Sequence, residues 1–295
     1  MEDFINICYI TDANYVQHTM VSIASLLANR GFCTKYRVFM ICDRVDERLK
    51  SLICNLFRNT DSKLEIIDHN NAYQKKSYEL GKYISSSTYI RLNLPSILNG
   101  IDKVIYLDGD TIIQEDLGKL YGIDIEGKAI AGSLDFGVCI DSINWKPVEY
   151  IRKTLPNYNK HYFNAGVLAM NLAHLRETDF EKTCKNLYDQ RKDFIFADQD
   201  ILNYAIPENK KVRFSIYWNC PVLSLALNYS QFPDLEMKMM IERTYHVTYD
   251  RIMDIAFRSA IIHINGSKTN ISKIPYLDSM YRRYLDMALS YSKRS

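Results

Sequence analysis

The alternation of apolar runs with amphipathic patterns over the first hundred residues is the strongest constraint on the fold. Residues 4–10 and 36–43 are predominantly apolar runs, typical of strands buried on both faces. Between them, apolar residues recur at helical spacing until Gly31. Strand, helix and strand in this order predict an α/β protein with a mostly parallel sheet flanked by helices. Ligands of such sheets bind at the carboxyl ends of the strands.

The same reasoning extends along the rest of the chain. The further predicted elements are a helix over 45–57, a strand over 64–68, a helix over 85–98 that Pro95 bends or ends, strands over 104–107 and 128–135, a strand running into a helix or turn over 165–177, and a strand ending at His263. No internal repeat, low-complexity tract or linker is visible. We therefore predict one domain over residues 1–271 and a basic, aromatic helical tail over 272–295.

Composition excludes several classes of protein. The 295 residues are 47% apolar and 24% charged, which suits a globular core, and the net charge of +2 gives no drive toward nucleic acid. The seven cysteines are scattered and form no Cys-x-x-Cys pair, so a disulfide framework and a zinc site are not expected. With no signal peptide or membrane span recognisable, we expect a cytoplasmic protein, or one peripheral on the inner face of the cell membrane.

An Asp-Gly-Asp sequence directly follows the strand predicted over residues 104–107. Residues i and i+2 of an extended chain project the same way, so Asp108 and Asp110 would repel each other unless a cation lies between them. Gly109 lets the backbone bend and lets a bulky anion approach. The pattern indicates a divalent metal that holds a phosphorylated ligand. The alternative is a plain turn at the end of a strand.

Two polar stretches follow other predicted strands or precede helices. Asp12, Asn14 and Tyr15 come just past the first strand, where the acid and amide suit a base or ribose and the ring suits stacking. The alternative for them is an N-cap of the next helix. Asp198 and Gln199 begin a helical pattern, and their alternative is ordinary capping and helix-dipole compensation.

Small residues and a histidine complete the set of candidates. Asn164 and Ala165 precede an apolar run, where a ligand can press against the backbone or the chain can simply turn. His263 ends the last predicted strand and is followed by Gly266 and Lys268, a combination that suits a metal-bound diphosphate. Two carboxylates and one imidazole favour Mn²⁺ or Mg²⁺ over zinc. The alternative is a histidine satisfied within the core.

Taken in order, these stretches resemble the family 8 retaining glycosyltransferases of the GT-A (Rossmann-like) fold, over about residues 5–270. That family includes bacterial lipopolysaccharide galactosyl- and glucosyltransferases and glycogenin. The resemblance implies a metal site of Asp108, Asp110 and His263. The positions that match the family's donor contacts are, for uridine, Asp12, Asn14 and Tyr15; for the sugar, Arg91, Asn164, Ala165, Asp198 and Gln199; and for the diphosphate, Gly266 and Lys268.

One departure from the family pattern concerns the diphosphate contact. The family usually has His-x-x-Gly-x-x-Lys-Pro-Trp, whereas here Lys268 comes one residue early and Thr269, Asn270 and Ile271 follow. The lysine is therefore expected to be shifted relative to the family, with a different or looser loop over the diphosphate.

The resemblance implies a metal-dependent retaining enzyme that moves glucose or galactose from a UDP-sugar to a saccharide, glycolipid or glycoprotein acceptor. Gln199 is a neutral amide and a poor nucleophile, so we favour front-face transfer in which Gln199 and Asp198 position the sugar. Two alternatives remain. One is a non-catalytic binding scaffold. The other is a sugar-nucleotide nucleotidyltransferase, which would be expected to carry a Gly-rich basic loop after the first strand, but residues 11–19 contain neither glycine nor lysine.

The tail admits two interpretations. Apolar and aromatic residues lie along one predicted helical side at positions Tyr276, Met280, Tyr284, Met287 and Leu289, next to basic residues. Such a helix can lie on an anionic membrane where a lipid-linked acceptor resides. The alternative is a helix that packs on the domain. The acceptor site itself is expected on loops within 136–160 and 220–250.

Overall fold

The computed structural model describes residues 4–69, 86–139, 149–191, 193–228, 257–266 and 268–292, with a few isolated residues and pairs between 239 and 255. Large parts of the loops in which the acceptor site is expected, residues 140–148 and most of 229–253, lie outside the described residues. All of the predicted candidate site residues lie within the described part of the chain.

A seven-stranded sheet forms the centre of the molecule. Its strands are β1 (Ile5–Asp12), β2 (Tyr36–Asp43), β3 (Lys63–Asp68), β4 (Lys103–Leu107), β6 (Ile130–Leu134), β7 (Phe163–Asn171) and β8 (Lys211–Arg213), in the spatial order β3-β2-β1-β4-β7-β6-β8. The pairs from β3 through β4 are parallel, as is β6 with β8, and only β7 runs antiparallel to its neighbours. The predicted mostly parallel α/β sheet is therefore confirmed.

A second, three-stranded sheet is built from β5 (Thr111–Ile113), β9 (Cys220–Pro221) and β10 (Ile261–His263). β10 lies in its middle, antiparallel to β5 and parallel to β9. The strand predicted to end at His263 thus exists, but it belongs to this small sheet and not to the central one. Its register sets His263 opposite Thr111, the residue that follows Asp110.

Helices cover the sheet and connect its strands. They are α1 (Val16–Ala28), α2 (Glu47–Phe57), α3 (Leu94–Ile97), α4 (Gly118–Tyr121), α5 (Phe136–Cys139), α6 (Glu149–Thr154), α7 (Tyr158–His161), α8 (Leu172–Arg176), α9 (Phe180–Gln190), α10 (Asp198–Ala205), α11 (Val222–Asn228) and α12 (Pro275–Ser292). Short 3₁₀ segments cover Ser86–Asn93, Glu208–Lys210, Ile216–Trp218 and Lys268–Lys273.

The single helix predicted over residues 85–98 is wrong in type. A 3₁₀ segment occupies the first part, and α3 begins only at Leu94, with Pro95 in its first turn. Proline lacks the backbone N–H that a helix interior needs, but its fixed φ suits the first turn. The proline therefore starts a new helical turn here instead of ending the previous one.

The predicted C-terminal helix is confirmed as α12, and it packs against α1 and α2. The side chains it buries are Leu277, Tyr281, Tyr284 and Ala288. Two tyrosine hydroxyls anchor it to α1 and the residue that follows α1: Tyr281 lies 2.6 Å from His18 Nδ1, and Tyr284 accepts a hydrogen bond of 2.8 Å from Asn29.

This packing corrects the apolar side predicted for the tail. Tyr284 is buried in the domain and Met280 and Met287 are partly buried against the core, whereas Tyr276 and Leu289 are among the large apolar side chains that remain exposed. The buried side of the helix therefore coincides only in part with the side that the sequence suggested. Within the described part of the chain, no helix combines the length and the apolar character that crossing a membrane requires.

Two leucines of α12 test this assignment with the same chemical change. Leu277 is 1% exposed and Leu289 is 39% exposed. Leu277→Ala should lower the free energy of unfolding by about 2–5 kcal/mol, because it leaves a cavity. Leu289→Ala should change it by about 0.5 kcal/mol or less, as surface substitutions do. Urea unfolding of both variants measures the difference, and equal losses would contradict the packed face described here.

Candidate active site

Two adjoining cavities open at the carboxyl ends of the central strands, as expected for a sheet of this topology. A cavity of about 160 Å³ lies between the end of β1, the 3₁₀ segment Ser86–Asn93 and the turn after β4. A larger one of about 430 Å³ extends toward the start of β7, the start of α10 and the end of β10. The residues lining both cavities are Tyr15, Thr88, Arg91, Asp108 and Asp110. One continuous crevice therefore contains most of the predicted candidates.

The predicted metal-binding residues converge at the centre of this crevice. One ligand atom each from Asp108, Asp110 and His263 lies within 4.8 Å of the other two. His263 Nε2 is 3.4 Å from Asp110 Oδ1 and 3.6 Å from Asp108 Oδ2. Octahedral coordination at about 2.1 Å would place adjacent ligand atoms about 3 Å apart. Two carboxylates and an imidazole at these separations can therefore bind a hard divalent cation.

Charge around Asp110 keeps that carboxylate ionised. Burial alone would raise the pKa of Asp110, but the Lys268 ammonium and the His263 ring lower it well below its ordinary value. Lys268 Nζ contacts both Asp110 Oδ2 and the Ile264 carbonyl. Although this lysine comes one residue early in the sequence, its ammonium reaches the cluster.

Arg91 holds the neighbouring carboxylates together. Its guanidinium is 2.8 Å from Asp108 Oδ1 and 2.7 Å from Asp198 Oδ2, and it donates to the Ala165 carbonyl at 2.5 Å. It also lies 4.4 Å from the centre of the Tyr106 ring. Burial raises the pKa of Asp198 to about 6, against the opposing charge of Arg91. The arginine lines the crevice, but its donors are largely occupied by protein groups.

The 3₁₀ segment that carries Arg91 is itself tied to the sheet. Asp43, buried at the end of β2, accepts a hydrogen bond of 2.6 Å from Ser87 Oγ. Ser87 lines the smaller cavity. This hydrogen bond ties the start of the 3₁₀ segment to β2, four residues before Arg91.

Polar side chains hold the far end of the larger cavity. The Gln199 amide oxygen accepts from Ala165 N at 3.0 Å, and its amide nitrogen donates to Asp135 Oδ2 at 3.2 Å. Asn164 donates to the same Asp135 oxygen at 3.0 Å. Ala197, which precedes α10, has φ 51°, a conformation that is strained for a residue other than glycine. This strained residue directly precedes Asp198 and Gln199, the first two residues of α10.

The capping and dipole alternative for the start of α10 is partly realised. The N-cap residue Ala197 makes no side-chain cap, but Asp198 and Asp200 lie in the first turn, where acids compensate the helix dipole. Asp200 is buried and accepts hydrogen bonds from Tyr150 Oη at 2.5 Å, Tyr162 Oη at 2.6 Å and Phe196 N at 2.8 Å. Burial raises the pKa of Asp200 to about 6. This carboxylate connects the start of α10, next to Gln199, with Tyr150 and Tyr162.

The predicted uridine-binding residues are only partly brought together. Asp12 and Tyr15 line the smaller cavity, but Asn14 is exposed and lines neither. Asp12 Oδ1 accepts from the backbone N–H groups of Asn14 and Tyr15, at 2.9 and 3.0 Å, just ahead of α1. The capping alternative for Asp12 is therefore partly realised. Gly266, with φ 112°, lines the larger cavity, and Lys268 lies 5.6 Å from the centre of the Tyr15 ring.

Two glycines are required for packing and not only for ligand approach. A Cβ on Gly109 would lie 2.3 Å from Thr19 Oγ1, so this glycine lets the turn after β4 press against α1. A Cβ on Gly166 would lie 2.1 Å from His263 Cε1. The small residues after Asn164 therefore make room for the histidine ring as well as for the crevice.

Sequence reasoning missed two polar residues of this site. Asp135 ends a predicted strand, and that position was a signal available in the sequence. Asn219 lies just before β9, and its Oδ1 is 2.9 Å from His263 Nδ1. A single asparagine between aromatic and apolar residues carries no pattern from which this contact could be predicted.

Substitution of Gly166 tests whether the histidine belongs to a metal site. In Gly166→Ala the new methyl group would push the His263 ring away from Asp108 and Asp110, so Mn²⁺ affinity should fall at least about tenfold. Isothermal titration with Mn²⁺ measures this. Gly122→Ala is the matched control, because Gly122 has an ordinary φ of −73° and the nearest atom to its Cβ is 3.3 Å away. Unchanged Mn²⁺ affinity in Gly166→Ala would contradict the assignment.

Known proteins share this sequence pattern. The pattern that defines glycosyl transferase family 8 matches residues 6–268. A Haemophilus influenzae protein named only as a glycosyltransferase is 31% identical over 199 residues, which are 67% of this chain and 58% of that protein. The Arabidopsis thaliana protein named probable galacturonosyltransferase-like 4 is 26% identical over 197 residues, 64% of this chain and 53% of that protein. The chain thus spans a little over half the length of these relatives.

A solved structure shares the fold over almost the entire length of both chains. The galactosyltransferase LgtC, crystallised with donor and acceptor sugar analogues, matches with a TM-score of 0.76 at 24% identity, over 97% of this chain and 96% of that one. This likeness confirms the predicted GT-A fold. Because the family pattern covers nearly the whole sequence, the chain belongs to glycosyltransferase family 8.

Proposed function

We propose that this chain is a metal-dependent retaining glycosyltransferase that moves a neutral hexose, glucose or galactose, from a UDP-sugar to a saccharide or glycoconjugate acceptor. The observation that carries the proposal is the convergence of Asp108, Asp110 and His263 in a crevice that continues into a polar region. That region, here called the sugar subsite, is lined by Asp135, Asn164, Asp198 and Gln199. This arrangement would place a cation next to a sugar, as a nucleotide-sugar donor requires.

The residues divide by the part of the donor they would meet. Asp108, Asp110 and His263 would hold Mn²⁺ or Mg²⁺, which when bound supplies positive charge to the diphosphate leaving group. Lys268 adds a second positive charge beside Asp110, and Gly266 exposes backbone near it. Tyr15 and Asp12 would face the uridine. Asn14 would have to move from its exposed position to contribute.

The charge of the larger cavity favours a neutral sugar over a uronic acid. The carboxylates among its described lining residues are Asp108, Asp110, Asp135 and Asp198, and the only guanidinium or ammonium group among them is Arg91. That guanidinium is already paired with two of these carboxylates. A uronate would add a negative charge for which the described lining residues offer no unpaired cation, at a cost that rises in a buried site. The proposed sugar therefore differs from the galacturonosyl group in the name of the Arabidopsis relative.

The contacts of Gln199 support a positioning role and front-face transfer. Its amide oxygen is neutral and engaged by a backbone N–H, which makes it a poor nucleophile. In the proposed step the bond from C1 to the diphosphate oxygen breaks, and the acceptor oxygen bonds to C1 on the same face. The acceptor proton passes to the departing phosphate oxygen. Gln199 and Asp198 hold the sugar while positive charge develops at C1.

UDP release from a panel of UDP-sugars, without an acceptor, tests the proposed donor and the metal requirement. We expect slow hydrolysis of UDP-glucose or UDP-galactose with Mn²⁺, and loss of that release with EDTA and in Asp110→Asn. UDP-glucuronate and UDP-galacturonate should give none, because of the charge argument above. Release from a uronate would contradict the neutral-sugar assignment. If no UDP-sugar of the panel releases UDP and calorimetry detects no UDP binding, the non-catalytic binding scaffold would be favoured.

Gln199→Ala tests the positioning role in the transfer step. Loss of one positioning amide should lower kcat about 10²–10³-fold, as removal of a single stabilising donor does in other enzymes, without abolishing transfer. Steady-state kinetics with the donor identified above measures the effect. Gln190→Ala, at the exposed C-terminal end of α9, is the matched control and should leave kcat unchanged. Complete loss of transfer in a folded Gln199→Ala protein would contradict front-face positioning.

A further inference from the structure

We propose that Asn219 is a positioning residue that selects the tautomer of His263, through a chain of side-chain hydrogen bonds that begins in the sugar subsite. This chain, here called the amide relay, consists of Asp135, Asn164, Asn219 and His263. Its consequence for metal binding rests on the function proposed above, whereas the tautomer itself does not.

Three hydrogen bonds connect the relay from end to end. Asn164 Nδ2 donates to Asp135 Oδ2 at 3.0 Å, and Asn219 Nδ2 donates to Asn164 Oδ1 at 3.0 Å. Asn219 Oδ1 then lies 2.9 Å from His263 Nδ1. Asn219 is 2% exposed and His263 is 4% exposed, so water does not readily substitute for either partner.

The direction of every bond follows from groups whose roles cannot change. An ionised carboxylate only accepts, so Asp135 requires the NH₂ group of Asn164 to point toward it. The backbone N–H of Gly166 only donates, and it donates to Asn164 Oδ1 at 2.9 Å. Two independent contacts therefore fix the orientation of the Asn164 amide.

The fixed amide of Asn164 determines the next two members of the relay. Because Asn164 presents an oxygen, Asn219 must present its NH₂ group to it and turn its own oxygen to the histidine. Histidine Nδ1 then has to carry the proton. In the neutral ring, Nε2 is left with the free electron pair, and Nε2 is the nitrogen that faces Asp108 and Asp110. A metal ligand needs that pair.

Packing leaves the ring little freedom to avoid this choice. The ring rests against the space left open by the missing Cβ of Gly166. The pairing of β9 with β10 sets Pro221 beside His263, which brings Asn219 to the Nδ1 side of the ring. With the position of the ring held by backbone, the hydrogen bond to Asn219 decides which nitrogen carries the proton.

The relay also joins the two ends of the crevice. Gln199 Nε2 donates to the same Asp135 oxygen that orients Asn164, at 3.2 Å. A sugar that contacts Asp135 or Asn164 therefore touches the groups that orient the metal-facing histidine. We infer that the polar residues of the sugar subsite and the metal ligand are held as one unit.

Nitrogen NMR of histidine-labelled protein without metal tests the tautomer directly. The chain has six histidines, and the signal missing in His263→Gln identifies the one of interest. At a pH well above the ordinary imidazole pKa of about 6.5, the wild-type ring should be protonated at Nδ1. Asn219→Leu should lose this preference. Asn219→Asp keeps an oxygen opposite Nδ1 and should retain it.

Mn²⁺ titration of the same proteins tests the consequence. Loss of a partner behind a metal-binding histidine commonly weakens affinity 10–100-fold, and we expect that range for Asn219→Leu. Asn55→Leu is the matched control, because Asn55 is a buried amide of α2, outside the crevice, and its replacement should leave Mn²⁺ affinity unchanged.

Two results would overturn the proposal. One is a wild-type His263 protonated at Nε2. The other is an Asn219→Leu protein whose tautomer and Mn²⁺ affinity both match the wild type. A wild-type protein that shows the Nδ1–H form but binds no Mn²⁺ would instead overturn the metal-dependent function and leave the relay intact.

Discussion

Several carboxylates lie close together at one edge of the sheet, and the site can form only if their negative charge is compensated. Arg91, 3% exposed, lies between Asp108 and Asp198 and donates to the carbonyl of Ala165. Removal of one partner from a buried ion pair commonly costs about 3–5 kcal/mol. A single guanidinium therefore ties the end of β4, the start of β7 and the start of α10 into one structure.

The candidate metal site exists because two sheets meet at one turn. Asp108, Gly109 and Asp110 leave the central sheet and lead directly into β5 of the small sheet. β10 pairs with β5 and sets His263 opposite Thr111. The register of this pairing thus brings a histidine from late in the sequence to two aspartates in its first half. A shift of the register by one residue would turn the histidine to the other face of the sheet.

Much of the architecture could be predicted, because continuous apolar runs are typical of buried strands. The ends of the predicted strands fall within two residues of the observed ones for β1, β2, β3, β4 and β6. The errors occur where local pattern and tertiary context disagree. The helical pattern of residues 85–98 predicts one helix, but the described part is a 3₁₀ segment over Ser86–Asn93, tied to Asp43, followed by α3. The side of α12 that is buried depends on its packing against α1 and α2.

The layered α/β fold, the Asp-Gly-Asp corner and the family could be recognised from the sequence alone, since they rest on patterns within short stretches of chain and on the order of those stretches. Three features appear only in the folded protein: Arg91 is shared by two carboxylates, Gly166 makes room for His263, and Asn219 contacts the ring. These contacts join residues far apart in sequence. Single polar side chains leave no periodic signal in the sequence. Their partners are set by strand register and by the requirement that buried polar groups form hydrogen bonds.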